Sequence, residues 1–306
     1  MKIGIFAGGG ESTLEQAVER IVQAERDGFA SAWLANIFAL DALTVLALAG
    51  RETSRIELGT AVVPTYPRHP HSLAQQAATV NAACGGRLSL GVGRSHKLVI
   101  EDMLGLTYDK PIGHMRDYLE VLRSLSDTGN CAYTGDQYTV NAPLQVEEGV
   151  GFGLFVGALM PRMLELCGQL CEGTLTWMSG PKHIEKNIAP VLNAAASAAG
   201  RPAPRVIASL PVCVTSDEAR AREEAARLFT IYGSLPVYRA CMDEEGADGP
   251  ADLALVGDAG QVKEAINRVR DAGATDFYPA VFPSGVEGED SERASYDLMA
   301  SLGGEV

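Results

Sequence analysis

The sequence is short of positive charge. Its 306 residues include 25 Lys and Arg against 39 Asp and Glu, which gives a formal net charge of -14 at pH 7. Proteins that bind nucleic acid or an anionic membrane surface carry clustered Lys and Arg, so this balance argues against both partners. The expected partner is a small-molecule substrate.

Long hydrophobic runs are also missing. No apolar stretch approaches the roughly 20 residues that a transmembrane helix needs. The chain begins with Met1, Lys2 and a strand-like segment, without the apolar core of a cleavable signal peptide. The sequence therefore predicts a soluble, cytoplasmic protein that does not bind a membrane.

The six cysteines lack the spacing of a metal or redox site. They are scattered among apolar residues, with no CxxC pair and no histidines at zinc-ligand spacing. Cys167 and Cys171 lie one helical turn apart, so a redox pair stays open, but neighbouring cysteines on an apolar helix face are more often core residues. We expect buried, reduced thiols and no metal site.

A dinucleotide-binding signature is absent as well. The glycine-rich start, Gly4 to Gly10, lacks GxGxxG spacing, and no acidic residue ends the second strand where a ribose contact would lie. An open doubly wound sheet therefore has no motif to support it.

The order of strand-like and helix-like segments indicates a different fold. Short apolar segments alternate with segments whose apolar residues recur at helical spacing. Eight strands of this kind lie at Lys2 to Phe6, Ser31 to Leu34, Ile56 to Val63, Leu88 to Gly91, Leu154 to Gly157, Gly173 to Trp177, Val206 to Val214 and Thr275 to Val281. Eight strands, each followed by a helix, predict an α/β protein with a closed (β/α)8 TIM barrel and one domain over residues 1–306.

Two stretches interrupt the alternation. Cys131 to Val140, with Gly135 and Asp136 between alternating residues, predicts a hairpin inserted before the fifth strand. Ile231 to Leu255 predicts a helical insertion before the eighth strand. We expect both insertions to cover the barrel mouth, where enzymes of this fold keep their active sites.

Two strand ends carry the first candidate site residues. The third strand ends at Pro64 and Pro67, as a parallel strand does when it leads into a shaped active-site loop, so the chain is expected to be an enzyme. The fourth strand leads into a basic cluster that suits an anionic cofactor or substrate: Arg94, Ser95, His96 and Lys97. His96 is the best acid or base candidate because imidazole titrates close to neutral pH. Lys97 is equally consistent with a surface residue.

The fifth strand ends in a second candidate site. Gly157 and Ala158 end the strand, Pro161 begins a helix, and Arg162 lies in the first helical turn. Free backbone N–H groups at such a helix start can bind a phosphate. A glycine at a strand end is also often only part of a turn.

Five motifs, taken together, resemble a known family. They are Ala24 to Trp33, Ile56 to Gly59 with Tyr66 beyond it, Gly85 to Gly93, Val156 to Met163 and Gly173 to Trp177. They resemble the bacterial luciferase-like superfamily, and within it the oxidoreductases that use the deazaflavin coenzyme F420. The resemblance covers nearly the whole chain and implies hydride transfer between deazaflavin C5 and a small organic substrate. Two alternatives stay open: an FMN-dependent luciferase-like monooxygenase and a non-catalytic flavin-binding protein.

The resemblance also implies particular residues. It places a non-prolyl cis peptide at Ala61-Val62, in a bulge under the cofactor ring and next to Pro64. It implies cofactor contacts at Gly157, Ala158, Thr176 and Trp177, although Trp177 is also consistent with a core residue. Relatives frequently have Asp-His where this chain has Ala35-Asn36. Asn36 is therefore expected in the catalytic site as a hydrogen-bond partner, and acid–base work would pass to His96, Tyr66 or water. Relatives are commonly homodimers.

Overall fold

The computed structural model describes residues 1–8, 13–285 and 288–303 of the chain. Its strands are β1 (Lys2–Phe6), β2 (Ser31–Leu34), β3 (Glu57–Thr60), β4 (Val63–Pro64), β5 (Leu88–Gly93), β6 (Asn130–Thr134), β7 (Thr139–Pro143), β8 (Gly153–Gly157), β9 (Gly173–Leu175), β10 (Arg205–Ala208), β11 (Pro211–Val214), β12 (Leu255–Gly257), β13 (Asp276–Phe277) and β14 (Ala280–Val281).

Its α-helices are α1 (Leu14–Arg26), α2 (Ala42–Glu52), α3 (Pro70–Ala83), α4 (Pro111–Thr128), α5 (Pro161–Leu170), α6 (Pro181–His183), α7 (Ala189–Ala198), α8 (Glu218–Leu228), α9 (Pro236–Glu245), α10 (Ala259–Asp271) and α11 (Gly288–Gly303). Short π-helical or 3-10 segments lie at Leu98–Met103, Glu147–Gly149, Ile184–Ile188, Thr230–Ser234 and Pro250–Leu253. Within the described ranges, no helix is both long enough and apolar enough to cross a membrane. Gly9 and Gly10 of the glycine-rich start lie outside those ranges.

Eight parallel strands close into a barrel. They pair in the order β1, β2, β3, β5, β8, β9, β10 and β13, and β13 pairs again with β1. Each predicted strand has its counterpart in this ring, so the predicted TIM barrel is confirmed. The carboxyl ends of the eight strands meet at one end of the barrel, which we call the mouth.

Strand alternation divides the apolar side chains into two cores. The outer core packs strands against helices and includes Leu90, Val92 and Val156. The inner core fills the barrel with side chains from five strands or strand ends: Trp33, Phe155, Leu175, Ile207 and Tyr278. Glycines make room for these large groups, since a Cβ at Gly59 would lie 2.2 Å from the Trp33 ring. Strand β5, with the sequence LSLGVG, shows this alternation. Its apolar residues Leu88, Leu90 and Val92 point outward, and the small residues between them point inward.

A charged network closes the end of the barrel opposite the mouth. Arg205, at the start of β10, binds Glu57 of β3 through two hydrogen bonds of 2.7 and 3.0 Å. The same guanidinium binds Asp276 of β13 at 3.1 and 2.5 Å. Ser89 of β5 donates to Glu57 at 2.5 Å. Four strands are therefore joined by side chains at the floor of the barrel.

Both interruptions of the alternation are visible in the structure, with one correction. β6 and β7 form an antiparallel hairpin in which Asn130 pairs with Pro143 and Thr134 with Thr139. The second stretch contains α9, but it ends in β12, which the sequence did not predict as a strand. β12 pairs in parallel with β11, and β11 also pairs with β14, so these three form a small sheet beyond the barrel strands. With only three residues and no alternation, β12 has too weak a pattern to be recognised.

The cysteines are core residues. All six are free and buried. Burial raises the pKa of the Cys171 thiol well above its ordinary value, and Cys167 beside it raises that pKa further. Thiols in this state are poor nucleophiles, so the structure gives no support to a redox pair.

Candidate active site

The mouth contains a bulge between β3 and β4. The Ala61–Val62 peptide bond is cis, as the resemblance implied. Both residues are half-buried and pack against the inner core. A Cβ at Gly93 would lie 2.6 Å from Val62 Cγ2, so glycine is required there for Val62 to take this position. The bulge thus presents small apolar groups to the mouth.

The end of β5 supplies an unpaired cation. Arg94 is half-buried, and no ion pair or hydrogen bond of its guanidinium occurs within the part of the chain that the structure describes. Ser95 follows in the left-handed region with φ 60, which non-glycine residues adopt rarely and mostly at functional sites. Lys97 is exposed and forms an ion pair with Glu101 at 3.4 Å. Of the basic cluster, Arg94 is therefore the residue suited to bind an anion.

Aromatic residues flank Arg94 on the side of β4. The Tyr66 ring stacks on the His114 imidazole with centroids 3.9 Å apart, and Tyr108 lies 5.0 Å from Tyr66. The Tyr66 hydroxyl donates to the carbonyl oxygen of Asp109 at 3.0 Å. Burial raises the pKa of Tyr66 to about 12, and Tyr108 also raises it, while Arg94 lowers it. The Tyr66 proton is thus held in place, which makes this residue a weak candidate for proton transfer.

His96 is the better placed of the predicted acid–base residues. Burial lowers its pKa, and the charge of Arg94 lowers it further, so the imidazole is neutral at pH 7. Its ring lies 5.8 Å from that of Tyr238 and makes no hydrogen bond to any described residue. A neutral imidazole with free ring nitrogens can accept a proton from a bound molecule.

Asn36 has a structural role. Its side-chain Oδ1 accepts a hydrogen bond of 3.0 Å from the backbone N–H of Ala42, the first residue of α2. This bond satisfies one of the free N–H groups at the helix start. Its carbonyl oxygen is therefore already occupied, and acid–base chemistry at this position is not supported.

The end of β8 corrects one expectation. The backbone N–H of Ala158 donates to Thr174 Oγ1 at 3.2 Å, so it is not free to bind a phosphate. Thr174 in turn donates to the carbonyl oxygens of Val156 and Ala158. Gly157 is exposed, and Arg162 is exposed in the first turn of α5. Gly157 is the residue of this loop that faces open space beside the bulge, because a Cβ added there would meet Val62 Cγ1 only at 3.6 Å.

The end of β9 holds polar groups without partners. Thr176 Oγ1 and Trp177 Nε1 are buried and have no partner with good hydrogen-bond geometry in the described ranges, although the Trp177 N–H lies close enough to the Tyr232 hydroxyl to lower the pKa of Tyr232. Met178 follows with φ 52. Buried polar atoms are nearly always hydrogen-bonded, so two orphans beside a left-handed residue indicate a place where a ligand can bind.

The family of the chain follows from a comparison with known proteins. A model of the luciferase-like monooxygenase family matches residues 1–276. The chain belongs to the luciferase-like family. This match confirms the resemblance to the luciferase-like superfamily that the five sequence motifs indicated.

Three luciferase-like proteins illustrate its relatives. A 5,10-methylenetetrahydromethanopterin reductase of Archaeoglobus fulgidus is 33% identical over 226 residues. The aligned region covers 70% of this chain and 65% of the reductase, so the chain spans slightly under two thirds of the reductase's length. A putative coenzyme F420-dependent oxidoreductase of Mycobacterium tuberculosis is 26% identical over 92% of this chain and 85% of its own. The solved F420-dependent tetrahydromethanopterin reductase of Methanopyrus kandleri superposes with a TM-score of 0.81 at 24% identity, covering 100% of this chain and 98% of that one.

Several residues of this luciferase-like mouth escaped the sequence-based predictions. Tyr108 contacts Tyr66, Tyr232 contacts Trp177 and Tyr238 contacts His96, whereas Tyr278 contacts Trp33 of the inner core. Strand alternation could have found Tyr278, which continues the inward positions of β13. The other three lie on loops or insertions, where no periodic pattern signals a site. Among the described residues, no group of three or more His, Cys, Asp or Glu side chains is placed to hold a metal.

Gly157 offers a test of the open space beside the bulge. We expect Gly157→Leu to fold with an unfolding midpoint within about 2 °C of the wild type, because Gly157 is exposed and has ordinary contact distances. Its side chain would occupy the space beside Val62, so F420 affinity should fall about 10-fold or more. Calorimetric titration and thermal melting measure both effects. Gly157→Ala is the control, and F420 binding by Gly157→Leu equal to that of the wild type would show that the space beside Val62 takes no part in binding.

Proposed function

We propose that this protein is a coenzyme F420-dependent oxidoreductase that transfers a hydride between deazaflavin C5 and a small organic substrate. The observation that carries the proposal is Arg94, a half-buried cation without a partner among the described residues, in a chain of net charge -14. The anionic cofactor tail supplies the missing partner. Two relatives support the choice of F420 as the cofactor. One is named as a 5,10-methylenetetrahydromethanopterin reductase and the other as a putative coenzyme F420-dependent oxidoreductase.

The residues present fit a deazaflavin. The Ala61–Val62 bulge gives a small apolar support for a flat ring, and Gly157 leaves the neighbouring space open. Arg94, with Ser95 beside it, would bind the acidic tail, Thr176 would donate a hydrogen bond to the cofactor, and Trp177 would contact the cofactor through its ring. We assign Pro64 to the wall of this site, because it pairs with Gly93 in β4 and β5. Lys97 and Arg162, both exposed, would contribute only long-range charge.

The protein's own chemical work is positioning and proton handling. A bound deazaflavin would supply the redox chemistry itself. His96 would exchange the proton with the substrate, since its neutral imidazole has no hydrogen bond to another described residue. Tyr66 and the residues around it would keep water out of this side of the mouth. Asn36 would act indirectly, by fixing the start of α2.

Arg94 gives a direct prediction. Arg94→Gln should lower F420 affinity about 10- to 150-fold, because a hydrogen bond to a charged group contributes about 1.5–3 kcal/mol. Calorimetric titration measures the loss, which should shrink at high salt because ions screen the charge. Arg268→Gln removes the same charge from the surface of α10, where Arg268 pairs with Glu264, and should bind like the wild type. Unchanged F420 affinity in Arg94→Gln would rule out this role.

A side-by-side titration with F420 and FMN tests the function. Cofactor absorbance and the fluorescence of Trp33 and Trp177 report binding. Tight F420 binding with weak FMN binding supports the proposal. Preference for FMN would overturn the proposal in favour of an FMN-dependent monooxygenase. Tight F420 binding without turnover on any acceptor would favour a non-catalytic binding protein. The homodimer stays a prediction, which light scattering would test.

A further inference from the structure

Six rings form a continuous chain at the mouth. Phe282 contacts Phe229, which contacts Trp177, with ring centroids 5.7 Å apart in each pair. Trp177 lies 5.5 Å from Tyr232, Tyr232 lies 5.1 Å from Tyr238, and Tyr238 lies 5.8 Å from His96. We call these six residues the aromatic arch. Phe229, Tyr232 and Tyr238 come from the segment between β11 and β12, so this segment builds the middle of the arch.

The arch connects strand ends that lie on both sides of β8. Trp177 follows β9 and His96 follows β5, and β8 is the strand between them in the barrel. At the end of β8, Gly157 is exposed and has no side chain to fill the space. Val62 Cγ1 of the bulge lies 3.6 Å from the position that a Cβ on Gly157 would take. The arch and the bulge therefore both adjoin the end of β8, where glycine contributes no side chain.

The arch carries no charge at neutral pH. Burial raises the pKa of Tyr238 above its ordinary value, and the groups that raise it further are Tyr232, Tyr278 and Cys241, all of them neutral. The His96 imidazole is neutral for the reasons given above. Arg94, which acts electrostatically on His96, is assigned to the cofactor tail. A charged group on the ligand would have no counterpart beneath the arch, which makes its burial there costly.

The arch nevertheless offers hydrogen bonds. Trp177 Nε1 is buried and has no acceptor with good hydrogen-bond geometry in the described part of the chain, although its N–H lies close enough to the Tyr232 hydroxyl to lower the pKa of Tyr232. The Tyr238 hydroxyl makes no hydrogen bond to a described residue. Tryptophan and tyrosine combine an apolar ring with one polar atom, and that polar atom normally finds a partner when it is buried. A ligand oxygen would supply the acceptor.

We propose that the space between the aromatic arch and the Ala61–Val62 bulge binds the substrate, and that this substrate is an uncharged, flat aromatic compound whose carbonyl or hydroxyl oxygen accepts a hydrogen bond from the arch. The inference deepens the proposed function and rests on it, because the bulge supports the cofactor ring that the substrate must meet. Phe282 is buried, but the other five rings are half-buried, and four of the five ring contacts in the arch are edge-to-face. Such rings leave faces and edges available to a further ring, which is the contact that aromatic groups prefer. Tyr238 is the specificity-determining residue.

Two probes of equal shape and different charge test the substrate class. We would titrate the F420-loaded protein with 2-acetylnaphthalene and with 2-naphthoate, and follow binding by calorimetry, which needs no turnover. The neutral ketone should bind about 10-fold or more tightly than the carboxylate. Tyr238→Leu should weaken ketone binding about 5- to 10-fold, and Tyr238→Phe about 2- to 10-fold. Tyr296→Leu is the matched control, since Tyr296 packs on Phe29 at the outer helix α11.

The outcomes separate this inference from the proposed function. Equal or tighter binding of 2-naphthoate overturns the inference, as does unchanged ketone affinity in Tyr238→Leu that still shows a cooperative thermal melt. If F420 binds and the ketone does not, the inference is wrong and the proposed function stands. If the ketone binds in a Tyr238-dependent way and F420 does not bind, the proposed function is wrong and the arch remains a binding site for neutral aromatic compounds.

Discussion

Arg205→Met is expected to lower the free energy of unfolding by about 3–5 kcal/mol at pH 7, the usual loss when one partner of a buried ion pair is removed. The guanidinium of Arg205 binds both Glu57 and Asp276 at the floor of the barrel. The Asp276 side chain is only 4% exposed, so water cannot replace the missing cation. Two like charges would then face each other inside the barrel. Chemical denaturation at pH 7 measures the loss.

A rescue experiment distinguishes charge from packing. Adding Glu57→Gln and Asp276→Asn to Arg205→Met removes both unpaired carboxylates and should restore a substantial part of the lost stability. Arg268→Met changes an exposed arginine of α10 and should alter the free energy of unfolding by no more than about 0.5 kcal/mol. If the triple variant were no more stable than Arg205→Met, the loss would come from missing packing rather than from unpaired charge.

Acid should destabilise the protein through His114. Burial lowers the pKa of His114 to about 4, against an ordinary value near 6.5, although Asp117 nearby raises it. Between pH 6.5 and pH 4 the unfolded chain therefore binds a proton that the folded protein does not, so stability falls as the pH falls through this window. Above pH 6.5, His114 is neutral in both states and no longer lowers the free energy of unfolding. We expect the free energy of unfolding to fall by about 2–3 kcal/mol between pH 6.5 and pH 4.

His114→Phe tests this assignment. The variant keeps a ring to stack on Tyr66 but loses the titrating group and its 2.8 Å hydrogen bond with Thr65 Oγ1. It should be less stable at pH 7 and should lose less stability than the wild type between pH 6.5 and pH 4. Denaturation curves across that range give the difference. A pH dependence of His114→Phe identical to that of the wild type would mean that other groups cause the acid sensitivity.

Local patterns were sufficient for the barrel but not for all of its mouth. The eight strands could be recognised because each is an apolar run bounded by turns, and each leads to a helix with its own periodicity. β12 was missed because a strand of three residues is too short to show a periodic pattern. The expected free N–H of Ala158 was wrong because Thr174, a residue of the neighbouring strand, occupies it. Neighbouring strands bring together residues that are distant in the sequence, and no local pattern records which hydrogen bonds they form.

The sequence by itself determined the fold and the family, because alternation, helical spacing and the five motifs are properties of consecutive residues. It also named Arg94 and His96, since a basic cluster after a barrel strand is visible in the chain. Only the tertiary structure decided what these residues can do: among the described residues Arg94 is unpaired, whereas Lys97 is paired with Glu101. It alone joined Trp177 and His96 through Tyr232 and Tyr238 into one arch. The physical reason is that pairing, burial and the resulting pKa values depend on contacts between distant segments, and these contacts exist only in the folded barrel.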